Sequence, residues 1–197
     1  AWLKEVGCTS VPLEWRQEGV AGSGLFALSD LEAETLLGTI PLNATISTVT
    51  LEANGWLQTL RDNGIDPQYD VTALALYLLY QRHVANFGGF AGLYVATLPQ
   101  SAEWAPTMWT AAEMATARTY LPHLYSKLYE HRTLLAQEYH GVQPFLANRT
   151  VWGREEPLTL EEYSWGRVMV TSRWFVATSQ QAEGQGAAEE LEFRVSD

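Results

Sequence analysis

The chain is poor in cysteine, in positive charge and in long apolar runs. Cys8 is its single cysteine in 197 residues, so no intrachain disulfide framework and no cysteine-based zinc site can form. Only 12 Lys and Arg stand against 23 Asp and Glu, a net charge of −11. That argues against a broad phosphate-binding surface, because such affinity comes from cations displacing counterions. The same acidity steers a basic partner toward the chain. The longest strongly apolar stretch, Val71 to Tyr80, is too short to span a bilayer. The opening residues carry no charged-then-apolar leader pattern. Tight histidine spacings are missing as well: His83, His123, His131 and His140 lie too far apart in sequence to share one helix face at i, i+3 or i+4. They read as helix-surface or packing residues.

What the chain does have is aromatic mass: eight Trp, nine Tyr and six Phe, with charged residues at only 18%. A well-filled core is the first expectation and an aromatic interface the second. Asn43-Ala44-Thr45 and Asn148-Arg149-Thr150 are glycosylation-type sequons that need a secretory route, to which nothing else points.

The first third reads as short strands, Leu13 to Arg16, Gly24 to Leu28 and Glu34 to Ile40, punctuated by Gly, Ser and Asp. The second and third are expected to pair antiparallel across a turn at Asp30. From about Leu51 the period becomes helical. Val71 to Val84 predicts a helix buried nearly all round, with Asp70 as N-cap and Gly88-Gly89 past its end. Leu93 to Trp109, with Pro99, Pro106 and two Trp, reads as extended. Thr110 with Glu113 predicts a capping box, and Pro122 opens a long helix that Gly141 is placed to end. Thr159 with Glu162 starts a further helix carrying Trp165, Val168, Met169 and Ser172. Ser179 to Glu190 is small, polar and acidic and predicts an exposed, mobile loop. Leu191, Phe193 and Val195 alternate as a returning strand does.

Gly22-Ser23-Gly24-Leu25-Phe26-Ala27 satisfies GxGxxA. A dinucleotide turn, however, needs a buried strand before the glycines and a helix after them. Here the preceding LEWRQEGV is polar and the following residues are strand-like, so the context fails. Glycine has another use, because without a Cβ it allows unusual φ and close backbone approach.

The run from Gly22 to Pro41 (GSGLFALSDLEAETLLGTIP) resembles the opening of SET-domain protein methyltransferases of the Rubisco large-subunit methyltransferase-like family. ALALYLLY (Ala73 to Tyr80), Tyr94 to Pro99 and SWGRVMVTSRWF (Ser164 to Phe175) are similar to later segments of that family, in the same order. The resemblance implies an α+β fold: a SET-type strand cluster over residues 1–50, a helical insert over 51–165 and a return to the core over 166–197. It implies S-adenosylmethionine as cofactor, contacted by Gly22, Ser23, Gly24, Leu25, Arg173 and Asp197, and methyl transfer to a lysine or histidine nitrogen of a protein substrate. A guanidinium at Arg173 suits the carboxylate of the cofactor's amino-acid end, although a helix C-terminus favours arginine on its own account.

Two departures from the family pattern bear on this. Ala21 stands where the family often has Glu, and Arg194 where it usually has Pro. Asp197 falls at the start of the family's Asp-x-x-Asn-His segment, so these 197 residues by themselves are expected to be inactive and to bind S-adenosylmethionine weakly or not at all. A degenerate SET-like scaffold or assembly subunit of a larger complex is the alternative. The resemblance implies an intracellular setting, in chloroplast or mitochondrion or else cytoplasm or nucleus. It implies no nucleic-acid partner.

Overall fold

A computed structural model describes residues 2–5, 7–18, 22–66, 70–85, 89–173 and 190–194. The chain divides into two compact units, one formed by residues 1–45 with 176–197 and the other by 46–175.

The first unit holds the strands. After a helical turn, α1 (Trp2–Glu5), come β1 (Thr9–Ser10), β2 (Leu13–Glu18), β3 (Gly22–Ala27) and β4 (Leu36–Pro41), with β5 (Glu190–Arg194) closing the unit. β2 and β3 form an antiparallel hairpin, Leu13 facing Ala27 and Glu18 facing Gly22. β4 is the middle strand of a second sheet in the order β1-β4-β5. The returning strand is thus present, antiparallel to β4 with Thr39 opposite Glu192. The expected pairing of Gly24–Leu28 with Glu34–Ile40 is corrected. Both edges of β4 are taken by β1 and β5, and β3 meets β2 first across three intervening residues, a shorter closure than the eight that separate it from β4. Glu34, at φ 61, breaks that longer connection instead of Asp30 turning it.

β4 crosses β1 so closely that a Cβ on Gly38 would stand 2.5 Å from the Thr9 carbonyl oxygen. Beside it the Thr9 and Thr39 hydroxyls share a 2.8 Å hydrogen bond. Backbone cannot yield as a flexible side chain does, so Gly38→Ala is expected to destabilise the chain by about 1–3 kcal/mol. A urea midpoint equal to that of the parent would contradict this close approach.

The second unit is helical: α2 (Thr48–Ala53), α3 (Trp56–Asp62), α4 (Asp70–His83), α5 (Gly89–Thr97), α6 (Ala111–Tyr120), α7 (Pro122–Leu146), α8 (Arg149–Trp152) and α9 (Leu160–Thr171). The capping boxes at Thr110/Glu113 and Thr159/Glu162 form as the sequence predicts, and Pro122 is in the first turn of α7. No residue of 71–82 in α4 is exposed. α4 lies against α9, where a Cβ on Gly166 would come within 3.0 Å of the Ala75 carbonyl oxygen; only glycine permits that approach without a shift.

Two expectations fail here. Leu93 to Thr97 is helix, not extended chain. Its Tyr, Val and Thr favour extension, but Gly92 and Val95 are buried and α5 packs on α4, so tertiary contact overrides propensity. Gly141 does not end α7, which runs on through Pro144. A proline inside a helix costs roughly 3 kcal/mol, and burial of Val142, Phe145 and Leu146 offsets it.

The aromatic mass goes mainly into the core of this unit. Trp56, Phe145, Trp152 and Tyr163 are buried, with Trp56 4.9 Å from Tyr80 and Phe145 5.5 Å from Trp152 between ring centroids. Each buried indole N–H donates to a carbonyl oxygen: Trp56 to Ala73, Trp152 to Phe145 and Trp165 to Pro99. The loop expected at Ser179 to Glu190 lies outside the described residues, except that Glu190 begins β5. Among the described residues no helix is long and apolar enough to cross a membrane.

Candidate functional site

Gly22 to Ala27 is a strand, not a turn, and this corrects the glycine argument. Gly24 does not adopt a left-handed φ; it sits opposite Arg16 in the hairpin, and Leu25 sits opposite Trp15. What Gly24 provides is room for the Phe26 ring, whose edge lies 3.3 Å from where a Cβ would stand. Leu25 is 69% exposed, its side chain on the opposite face of the strand. The next helical element after the strand is a short 3-10 turn at Leu42–Ala44, so the helix N-terminus that a dinucleotide pyrophosphate requires does not follow the glycines.

Arg173 lies in the second unit, just past α9. Ser172 caps that helix, donating its hydroxyl to the Val168 carbonyl at 2.6 Å. The same hydroxyl oxygen accepts from Arg173 Nη1 at 2.7 Å. A second approach of Nη1, to Met169 Sδ at 3.4 Å, and the Trp104 ring, 5.9 Å from the guanidinium carbon, complete the surroundings. Among the described residues, the groups that orient the guanidinium are neutral. Among the described residues no carboxylate forms an ion pair with it. Tyr94 is half-buried nearby; burial pushes its phenol up and the Arg173 charge pulls it down, with burial the larger effect.

Arg173 and the glycine strand, the site residues the sequence proposes, each fall within their own unit. Asp197 and Ala21 lie outside the described residues. Trp104, Met169 and Tyr94 were not assigned to Arg173 by sequence reasoning. The signal was a tryptophan in a proline-bounded stretch, and nothing local ties it to a residue 69 positions later.

Other polar clusters in the helical unit serve the fold. Arg167 Nε lies 2.9 Å from Glu138 Oε2, and Tyr163 donates to the same carboxylate oxygen at 3.4 Å. Burial, helped by the Glu138 charge, raises Tyr163 to about 12, so it stays a neutral phenol and ties α9 to α7. The sequon residue Asn148 is also engaged, its amide donating to Asn63 Oδ1 and its carbonyl oxygen accepting from the Thr150 N–H. A cleft of about 350 Å³ lined by Asn54, Trp56, Tyr77, Tyr80, Gln81 and Thr150 holds no charged side chain. Among the described residues no group of three or more His, Cys, Asp and Glu could hold a metal ion.

Glu162 joins three elements. It accepts from the Thr159 N–H at 2.7 Å and from Arg154 Nη1 at 2.8 Å, and His83 Nε2 is 3.7 Å away. Burial pushes the Glu162 carboxyl up, but the hydrogen bonds from Thr159 and Arg154 outweigh it and its pKa is lowered. Burial lowers His83 from 6.5, opposed by Glu162 and helped by Arg82 and Arg154. Both folded pKa values lie below their unfolded ones, so both groups contribute stability that is lost as pH falls. For His83 the loss begins as pH drops through its unfolded value near ~6.5, and for Glu162 only in the carboxylate range below it. The urea midpoint is expected to fall between pH 7.5 and pH 5.5, and His83→Gln to flatten that upper step. A midpoint that rises over this interval would contradict the assignment.

With this geometry in hand, comparison with known proteins defines the fold. No family model matches the chain, and no curated protein sequence matches it. Solved structures do. The chain has the fold of the SET domain, as in a structure of Rubisco LSMT bound to sinefungin and monomethyllysine, with 19% identity over 88% of this chain and 39% of that one at a TM-score of 0.72. The SET domain of LSMT bound to methyllysine and AdoHcy matches at a TM-score of 0.71, again with 19% identity over 88% of this chain, and 38% of that one. Rubisco LSMT bound to AdoMet matches at 0.71, with 19% identity and the same 88% and 39% coverage. The chain spans about two-fifths of the length of these relatives.

Proposed function

We propose that these residues are the SET-type part of a protein methyltransferase that uses S-adenosylmethionine and modifies a side-chain nitrogen of a protein substrate. The observation that carries this reading is the likeness to LSMT SET domains over 88% of the chain. The relatives' bound ligands, AdoMet, AdoHcy and methyllysine, supply the chemistry proposed for this chain.

The residues fit such a ligand. A guanidinium held by Ser172, with no carboxylate partner among the described residues, suits an α-carboxylate taken through two parallel hydrogen bonds. Gly24 is proposed as a further cofactor contact on the resemblance to the family alone. Gly22, Ser23 and Leu25 are proposed as its neighbours in that contact, and Asp197 as a further one. When bound, S-adenosylmethionine supplies a methyl group activated on a sulfonium. The acceptor must reach it as a neutral amine, whereas a free lysine titrates near ~10.4. The chain's net charge of −11 draws a lysine-bearing, basic protein segment toward it. It also disfavours nucleic acid as a partner. An intracellular setting, organellar or otherwise, accompanies this reading.

The test is photolabelling of the protein with S-[methyl-³H]adenosylmethionine. Label competed away by S-adenosylhomocysteine is the expected result. Label that excess competitor leaves in place would be non-specific and would leave a SET fold without its cofactor, as in a scaffold.

A further inference from the structure

Five tryptophans have described side chains, and they divide sharply. Trp56, Trp152 and Trp165 are buried with their N–H groups bonded, and Trp109 is intermediate. Trp104 is 53% exposed. Exposure of one indole needs no special account. The mounting of this one does.

The segment that carries Trp104 is fixed at several points. Leu98, Ala102 and Ala105 are buried. Trp165 Nε1 donates to the Pro99 carbonyl at 2.8 Å and Arg82 Nη2 to the Gln100 carbonyl at 3.0 Å. The Arg82 guanidinium is itself stacked 4.1 Å from the Trp165 ring centroid. α4 and α9 thus clamp the backbone just before Trp104, and the Ala105 N–H closes a turn onto the Ala102 carbonyl at 2.8 Å just around it. The result is a large, flat side chain on rigid backbone with its surface toward solvent. Next to it stands Arg173, whose guanidinium has no carboxylate partner among the described residues and lies 5.9 Å from the indole.

We propose that Trp104 is a ligand-binding residue of the Arg173 site, its indole forming a wall along which the aliphatic and cationic part of an amino-acid-type ligand lies while Arg173 takes the carboxylate. Naming that ligand as the methionyl end of S-adenosylmethionine rests on the function proposed above. An aromatic face attracts a cation and packs against methylene groups, and a sulfonium two methylenes from an α-amino-acid centre offers both. A polyphosphate ligand fits worse, since the chain carries −11 and the site supplies a single guanidinium. Arg82 and Trp165 are positioning residues in this arrangement, because they hold the segment and not the ligand.

A purely structural stack between Trp104 and Arg173 makes the opposite forecast for truncation, losing stability and leaving binding alone. The experiment is a titration of the ¹⁵N-labelled chain, following the Trp104 indole and Arg173 side-chain N–H signals, with S-adenosylmethionine and then with S-adenosylhomocysteine, which keeps the carboxylate but lacks the sulfonium charge and is expected to move the Trp104 signal less, up to millimolar concentration. Both signals are expected to move with S-adenosylmethionine. Trp104→Ala is expected to weaken binding about 3- to 30-fold while the Arg173 signal still responds at higher concentration and the urea midpoint holds. Trp104→Phe is expected to keep most of the affinity. If Arg173 responds but Trp104 does not, or Trp104→Ala binds as well as the parent, the role of Trp104 is overturned and the cofactor reading stands. If neither signal moves at millimolar ligand, both fall.

Discussion

Trp152→Ala is expected to lower stability by about 3–5 kcal/mol, the usual cost of emptying a large aromatic site in a core. The side chain is 2% exposed and touches Phe145 and Tyr80, with ring centroids 5.5 and 6.3 Å away. Its N–H is the donor to the Phe145 carbonyl at 2.8 Å, near the end of α7 where Pro144 already strains the helix. Truncation leaves both a cavity and a carbonyl without that donor, and the second adds to the first. Trp104→Ala removes the same side chain from an exposed position and is expected to change stability by no more than ~0.5 kcal/mol. Urea denaturation of the two variants side by side checks the pair. Equal losses would mean that Trp152 is not the core anchor described here.

The elements most legible in the sequence were those with local causes. Thr110 with Glu113 and Thr159 with Glu162 each satisfy helix-start N–H groups within four residues, so composition and spacing were enough. Pro122 acted likewise at the start of α7. The errors arose where distant packing decides. α5 is helical because α4 covers it, not because Gly89 to Thr97 prefers a helix. α7 passes Gly141 and Pro144 because Phe145 and Leu146 are buried. The partner of β3 was misjudged because β4 already serves β1 and a strand about 150 residues later in the chain.

The candidate site was legible to a smaller degree and for a similar reason. The GSGLFA run and the Ser172-Arg173 pair are contiguous, so a pattern can be matched to them. That Gly24 lies in a strand and not in a turn shows only in its pairing with Arg16. The surroundings of Arg173 come from three separate segments, at Tyr94, Trp104 and Met169. No periodicity links these positions; the clamp of Arg82 and Trp165 on Pro99 and Gln100 does.

The central claim is that this SET fold binds S-adenosylmethionine through Arg173, and Arg173→Ala tests it most directly. A charge-assisted hydrogen bond is worth about 1.5–3 kcal/mol, so loss of the guanidinium should weaken binding by roughly 10- to 150-fold. Arg173 is exposed and, among the described residues, held by Ser172 and Met169 and by no ion pair, so the substitution should leave the fold intact. Isothermal titration of the chain and of Arg173→Ala with S-adenosylmethionine is the measurement. Weak, saturable binding to the parent chain that disappears in Arg173→Ala is the predicted result, and binding of equal strength to both chains would contradict it.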